Sequence, residues 1–371
     1  MSPPGCTTAT IAAARLGAQR LIRKPFETAV EAVRSMAAVQ SQDYAGAKWA
    51  LGQRVVGATD AAIDRLYDQG AILRTHVLRP TWHFVLPEDI RWLLDLTGPK
   101  VLTSVGGRHR QLGIDRGVIT RARLAFENGL SGGRSLTREE LGEVLLSARI
   151  PSDGQRLPHL IMAAELEGQV VSGPRRGRLM TYALLDERAP NTRVLEPMEA
   201  LRELTRRYFC SHGPAQLQDL AWWSGLTQAD ACRGVELAGA GLAKRSIDGT
   251  DYWFDPELEW RPAGKGAVHL LPNFDEYTVG YRDRSAMLHA DYPFRPELFA
   301  FSSILSNVVT AGGQLRAAWR RTASGPGVRV EVQPLAPLDP VERAGVEQAC
   351  RRFSRFLERP IELVWGPATR R

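Results

Sequence analysis

Cysteine is scarce in this chain of 371 residues: Cys6, Cys210, Cys232 and Cys350 lie far apart, with no C-x-x-C pair. That spacing argues against a disulfide framework or a structural zinc site and fits a reducing compartment. Long hydrophobic runs are missing too, since no segment approaches the roughly 20 apolar residues of a membrane span. The opening stretch MSPPGCTTATIAAARLGAQR lacks a charged region followed by an apolar run and a cleavage site. The expectation is a soluble protein of the cytoplasm. No G-x-x-x-x-G-K-[ST] or G-x-G-x-x-G loop cradles a phosphate, and no G-x-S-x-G elbow presents a serine. The seven histidines form no H-x-x-x-H pair. Neither a cofactor nor a metal is expected, and an enzyme of this kind would suit a substrate that is already activated.

Lysine is the other scarcity. Only 5 of the 48 basic residues are Lys, the other 43 being Arg, and the formal net charge is +7. GC-rich codon usage is one source of such a bias. Whatever its origin, a guanidinium offers a planar fork of donors that matches phosphate, so the surface suits polyanions. Apolar residues at 44% and charged residues at 24% are ordinary for a globular protein, and the length allows two or three domains.

One pattern of elements recurs. SLTREELGEVLLSARI begins with a capping box, Thr137 and Glu140, and RLPHLIMAAELEGQ supplies a second helix. VVSGPRRGRLMTYALLDE then reads as two strands around a tip. Helix, helix and hairpin in that order suggest a winged helix. The pattern returns in PAQLQDLAWWSGL, TQADACRGVELAGAG and LAKRSIDGTDYWF, where Asp248-Gly249 is the turn signal. A weaker copy opens the chain: PFETAVEAVRSMAAVQ and TDAAIDRLYDQGAIL as helices, LRTHVLRPTWHFVL as a strand pair. From about Lys265 the segments AVHLLPNFDEYTVGY, SNVVTAGGQLRAAWRR and GVRVEVQPLAPL look like strands, followed by a helix after Asp339 and a closing strand IELVW. The expected fold is α+β: three tandem winged-helix units over 8–110, 111–190 and 191–262, then a small β-rich domain over 263–371.

Basic residues gather on the hairpins: Arg175, Arg176 and Arg178 on the second, Lys244 and Arg245 on the third. Arg316, Arg320, Arg321 and Arg329 lie around a Gly-rich turn near the C-terminus. Each cluster alone reads as a solvated surface; on linked DNA-binding folds they suggest a groove of phosphate contacts. In RTHVLRPTWHF, Arg79, Thr81 and His83 share one strand face, with Arg74 and His76 on the other. That face is either a solvent-facing wing or a functional surface. The segment AVQSQDYAGAKWALGQR raises a further question, because Gln40 and Gln42 stand one residue apart with Asp43 after them. If extended, both glutamines point one way. If helical, Gln40 and Asp43 share a face. Capping of the preceding helix is the plainer role for both amides. Trp49 is a candidate for base stacking or for core.

The ordered set VQSQDY, KWALGQR, LRPTWHF, LLPNFDEYTVGYRDRS and GGQLRAAWRRT resembles the AlkZ/YcaQ family of bacterial winged-helix DNA glycosylases. The resemblance covers about residues 10–365. It implies a C-shaped clamp on double-stranded DNA and a monofunctional, metal-free monomer that excises N7-alkylated purines or unhooks interstrand crosslinks. The catalytic motif of the family is Q-x-D or Q-x-Q. Here Gln40-Ser41-Gln42 matches the Q-x-Q form of self-resistance enzymes in antibiotic-producing actinobacteria, and the carboxylate of Q-x-D is absent. Two amides would then hold a water and face the developing sugar cation, while Arg79, Thr81, His83 and the hairpin arginines meet DNA. A winged-helix regulator without catalysis, or a silent lesion binder, are the rival readings. No extended coiled coil is present to drive the dimerisation that operator readers use.

Overall fold

The computed structural model describes residues 8–288 and 307–367, so Cys6 lies outside it. The chain begins with α1 (Thr8–Ala18), α2 (Ala29–Met36), β1 (Val39–Gln40), α3 (Tyr44–Gly52) and α4 (Asp60–Gln69). A strand pair, β2 (Leu73–Val77) and β3 (Arg79–Val85), and the long α5 (Ile90–Gln111) follow. Thr28 and Thr59 accept from backbone N–H groups to cap α2 and α4. The helical pattern through Gln40 stops early. Ala37 has φ 64° and donates to the Arg34 carbonyl, which ends α2 and turns the chain into an edge strand. β1 pairs antiparallel with β3, in a sheet of order β1-β3-β2.

The second segment contains α6 (Arg116–Leu130), β4 (Leu136–Thr137), α7 (Arg138–Ser147), α8 (Arg156–Leu166), β5 (Val170–Ser172), β6 (Thr181–Leu184) and α9 (Leu185–Arg188). Thr137 and Glu140 form the full capping box of α7. This segment buries a cluster of its own, with Phe126, Leu141, Leu145, Leu160 and Tyr182 at its centre. The third has α10 (Pro197–His212), α11 (Leu217–Ser224), α12 (Gln228–Ala238) and the hairpin β7 (Ala243–Ile247) and β8 (Thr250–Phe254). Asp248 and Gly249 both have positive φ, as the tight two-residue hairpin turn requires.

The C-terminal part is a five-stranded sheet of order β13-β12-β11-β10-β9. Its strands are β9 (Val268–Leu271), β10 (Val308–Ala311), β11 (Gln314–Ser324), β12 (Gly327–Pro334) and β13 (Ile361–Trp365). A helical turn, α13 (Glu276–Val279), follows β9; α14 (Pro340–Leu357) precedes the parallel edge strand β13. The strand expected through Tyr281 therefore ends at Leu271. Asp275 accepts from the Tyr277 N–H and starts a helical turn in its place.

Two buried clusters tie these parts together. One joins Trp49, Tyr67 and Phe84 to Leu270, Trp319, Phe353 and Phe356 of the C-terminal sheet and its helix. Trp49 is thus core: it donates to the Leu270 carbonyl at 2.7 Å, and its ring lies 4.7 Å from Phe353. The other joins Leu73, Val77 and Leu78 of the first hairpin to Trp92, Leu204, Tyr208 and Trp223. The first strand pair is consequently walled in on both sides, and this is what makes it a site.

Candidate active site

Across the first sheet, directly paired residues share a face. Gln40 pairs with His83, and His83 pairs with Thr75, giving one row of three polar side chains. Gln40 is 3% exposed, and His83 and Thr75 are fully buried. Thr81 and Arg79 continue the same face along β3. The reading of this strand as a solvent-facing wing therefore fails, because helices of the third segment and α13 cover it.

The covering element brings a carboxylate. Glu276, 1% exposed, accepts the Gln40 backbone N–H at 2.6 Å, which would otherwise be an unpaired donor on the edge strand. Its other oxygen accepts the Trp223 indole N–H at 2.9 Å and lies 3.2 Å from His212 Nε2. His212 in turn meets the Ser211 hydroxyl at 2.8 Å and stacks on Tyr208. Burial pushes the Glu276 carboxyl up, but His212, His83 and the Gln40 N–H outweigh it and hold the group down at about 2. Glu276 is a fixed anion directly behind Gln40. Nothing in periodicity marks it; the only signal is an acidic pair set within the apolar stretch LLPNFDEY.

His83 has the opposite problem. Complete burial, with Arg79 nearby, lowers its pKa to about 3, so the ring is neutral. Nδ1 lies 3.0 Å from the Thr81 carbonyl and must carry the proton there. Nε2 therefore presents a lone pair, and it has no partner among the described residues. Neither do Thr75 Oγ1, Thr81 Oγ1, Ser41 Oγ and Arg79 Nε, all buried atoms of the same two strands and the β1 end. Orphaned buried polar groups cost roughly 1–3 kcal/mol each. Four of them, on Thr75, Thr81, His83 and Arg79 of one face, mark a place built to receive a polar guest.

The two glutamines are linked through this sheet. The Gln42 backbone N–H donates to the Gln40 side-chain carbonyl at 3.0 Å, and the Gln42 carbonyl accepts from the Trp82 N–H at 3.4 Å. Neither amide caps α2, whose end is closed by backbone. Asp43 caps instead: its carboxylate accepts the Gly46 N–H at 3.0 Å and starts α3. Both side-chain carbonyls are oriented by one hydrogen bond, leaving the second lone pair of each. Gln40 is sunk in the floor, and Gln42 lies exposed at the rim.

The opposite face docks the second segment. His76 bonds Glu165, Arg74 donates to the Ser41 carbonyl at 3.1 Å, and Arg74 lies over the Trp82 ring. Parity places these residues away from His83, as the alternation requires.

The predicted arginines divide by partner. Arg175 is clamped to Asp68 and Asp64 at 2.7 and 2.8 Å, so it pins the second hairpin to α4 and has no fork left for phosphate. Arg316 is held at 2.8 Å by Glu342 and is similarly enclosed. Arg176 pairs with Glu140, Lys244 with Asp251 and Arg320 with Glu331, all on exposed surface. Arg329 pairs with Glu362. Arg178 is exposed; Arg245 lies over Trp260 at 4.5 Å, and Arg321 over Phe353 at 5.7 Å. Arg320 and Arg321 thus occupy opposite faces of β11. Of the predicted set, Gln42, Arg79, Thr81 and His83 come together with Gln40, and the cations of the later hairpins do not. No group of three His, Cys, Asp or Glu side chains among the described residues could hold a metal ion, and no described helix is long and apolar enough to cross a membrane.

The chain is similar to known proteins in sequence and in fold. The chain is 23% identical over 325 residues to an interstrand DNA cross-link repair glycosylase of Streptomyces sahachiroi, covering 82% of this chain and 85% of that one. The solved structure of the Streptomyces sahachiroi DNA glycosylase AlkZ matches the fold with a TM-score of 0.77 at 19% identity, over 97% of this chain and all of the other. The family model described as DNA glycosylase AlkZ-like matches residues 33–356, a span that holds Gln40, His83, His212 and Glu276 alike, and the chain belongs to that family of DNA glycosylases.

Proposed function

We propose that this glycosylase hydrolyses the N-glycosidic bond of N7-alkylated purines in double-stranded DNA and unhooks interstrand crosslinks formed through the same nitrogen, lesions left by a DNA-alkylating natural product to which it confers resistance. Its helix–helix–hairpin segments act as three winged helices of a monomeric clamp. One observation carries the choice of lesion: the two titratable groups placed against Gln40, Glu276 at its backbone N–H and His83 as its strand partner, are both unsuited to give a proton. Glu276 is held ionised and His83 is held neutral. A neutral purine needs its leaving nitrogen protonated, whereas a purine alkylated at N7 is already cationic.

In the reaction, the electron pair of the C1′–N9 bond moves to N9 and neutralises the ring. A water oxygen bonds to C1′, and its proton passes to solvent. Gln40 and Gln42 each direct a carbonyl oxygen at the developing sugar cation, and His83 Nε2 accepts a hydrogen bond from the attacking water. The contribution is positioning and electrostatics, with no proton transfer to the base. The cross-link named for the Streptomyces relative, at 23% identity over most of both chains, supports extending the substrate to crosslinks. Phosphate contacts fall to the exposed Arg176, Arg178, Lys244 and Arg320, together with Arg245 and Arg321. Arg175 and Arg316 serve the fold. A regulator reading gains no support from the family match.

The test is a duplex bearing one N7-methylguanine, run beside a nitrogen-mustard crosslink, with abasic sites cleaved by alkali. The wild-type chain releases the base and unhooks the crosslink. Gln40→Ala lowers the single-turnover rate by about 100-fold or more, with duplex binding retained. If no base is released from either lesion while the duplex is bound, the proposal fails.

A further inference from the structure

Above the catalytic row stands a tryptophan that neither the motif nor the core explains. Trp222, at the end of α11, is 40% exposed, although its neighbour Trp223 is fully buried against Glu276. Two guanidiniums flank its ring. Arg79 lies 5.6 Å from the ring centroid and Arg284 lies 5.8 Å from it. Neither arginine forms an ion pair among the described residues. Arg284 donates to the Thr278 carbonyl at 2.7 Å, and Arg79 Nε has no partner. Most other cations considered above face a carboxylate or stack in place, so two unpaired ones beside an exposed indole stand apart.

The indole is also held rigidly. Trp223 anchors the helix to Glu276, which anchors Gln40. Two residues on, Gly225 ends α11 with φ 71° and sits so close to the first hairpin that a Cβ there would come 2.2 Å from the Leu78 carbonyl. Leu78 itself has φ 63°, a strained turn directly before Arg79. The platform and the catalytic row therefore share one scaffold, and a ring seated on Trp222 has a fixed relation to Gln40.

We propose that Trp222, with Arg79 and Arg284, forms a subsite for a flat aromatic ring and its adjoining phosphate beside the alkylated purine. The proposal rests on the glycosylase reading for its location. Indole offers a π-face to any base, and the guanidiniums add stacking and charge for the phosphodiester. Two rings could fill it: a nucleobase next to the lesion, or an aromatic group carried by the adduct itself.

Binding tests it separately from catalysis, using duplexes whose lesion sugar carries a 2′-fluorine that blocks hydrolysis. One duplex carries N7-methylguanine and another an N7 adduct bearing a naphthyl group. Trp222→Ala, an exposed change checked by thermal unfolding, weakens binding by about 10- to 100-fold, and Trp222→Phe restores most of it. An equal loss on both duplexes assigns the ring to a DNA base. A loss confined to the naphthyl duplex assigns it to the adduct. Unchanged affinity in Trp222→Ala on both, or an equal loss in the Phe and Ala variants, overturns the subsite. A wild-type chain that binds normally but excises nothing from the hydrolysable lesions would instead overturn the glycosylase chemistry.

Discussion

The first and third hairpins are written in the same local grammar and have opposite fates. In the third, Asp248 and Gly249 make a tight exposed turn, and Lys244 pairs with Asp251 across the strands in solvent. In the first, the turn is the buried Leu78 at φ 63°, the register shifts beside it, and polar atoms of Thr75, Thr81 and His83 are buried without partners among the described residues. What differs is the company. The first hairpin is enclosed by α10, α11 and α13 on one face and by the second segment on the other, and enclosure turns polar strand residues into a site. Under the proposed function the open hairpin only grips DNA, and the roofed one also does chemistry on it.

Removing the roof's anchor should produce the largest effect. Glu276→Ala strips the partner from the Gln40 N–H and the Trp223 indole in a buried setting, and is expected to cost about 3–5 kcal/mol of stability in urea unfolding, with excision lost. Glu276→Gln keeps the packing and should cost less, while still lowering the rate with little change in duplex binding. The acid limb reports the same groups. Glu276 has a folded pKa near 2, below its ordinary carboxyl value, so its contribution is present above about pH 4.5 and is lost as pH falls toward 2. His83 is lowered to about 3, so its share is present above about pH 6.5 and is lost as pH falls toward 3. Wild type should lose stability through both windows, and a His83→Asn variant should lose less through the upper one, where the buried His269, also lowered to about 3, still titrates. Parallel acid profiles in the two would remove His83 from the buried neutral role.

A pair of glycines isolates the effect of enclosure. Gly249 and Gly225 both have positive φ, at 77° and 71°. At Gly249 a Cβ meets nothing within 4 Å, so Gly249→Ala carries only the backbone cost, about 1–2 kcal/mol. At Gly225 a Cβ would also collide with the Leu78 carbonyl, and Gly225→Ala should cost about 1–3 kcal/mol more. It should also lower excision, by displacing Arg79. Equal destabilisation of the two variants would mean that the contact between α11 and the first hairpin gives way freely, and the contrast between the hairpins would collapse.

Local features were legible because local forces write them. Thr137 and Glu140 announce a helix start, Asp248-Gly249 announces a turn, and parity separates Arg74 and His76 from Arg79, Thr81 and His83. The helix α3, YAGAKWALG, is apolar on nearly every side and shows no stripe, and α5 carries Pro99 and three glycines, so neither pattern stands out. Partners distant in sequence leave no mark at all. Arg175 reads as a free wing cation until Asp68, 107 residues earlier, is seen beside it. Glu276 reaches Gln40 across 236 residues, and no spacing rule joins FDEY to VQSQ. The glutamine pair could be found through its resemblance to a family; the anion behind it is found only in the fold.

The smallest expected effect separates grip from chemistry most cleanly. Lys244 and Arg320 each form an exposed, solvent-screened pair, so releasing either from Asp251 or Glu331 to meet a phosphate costs little. Neutralising one phosphate contact should flatten the dependence of log K on log salt by about 0.9, with the single-turnover excision rate unchanged at saturating protein. Lys244→Ala and Arg320→Ala are expected to do this singly, and together to roughly double it. Gln40→Ala should do the reverse, losing rate while keeping the slope, because an uncharged amide in the floor of the first hairpin displaces no counterion. A slope that moved with Gln40 and held with Lys244 would invert the assignment, making the enclosed hairpin the phosphate grip and the open one a bystander.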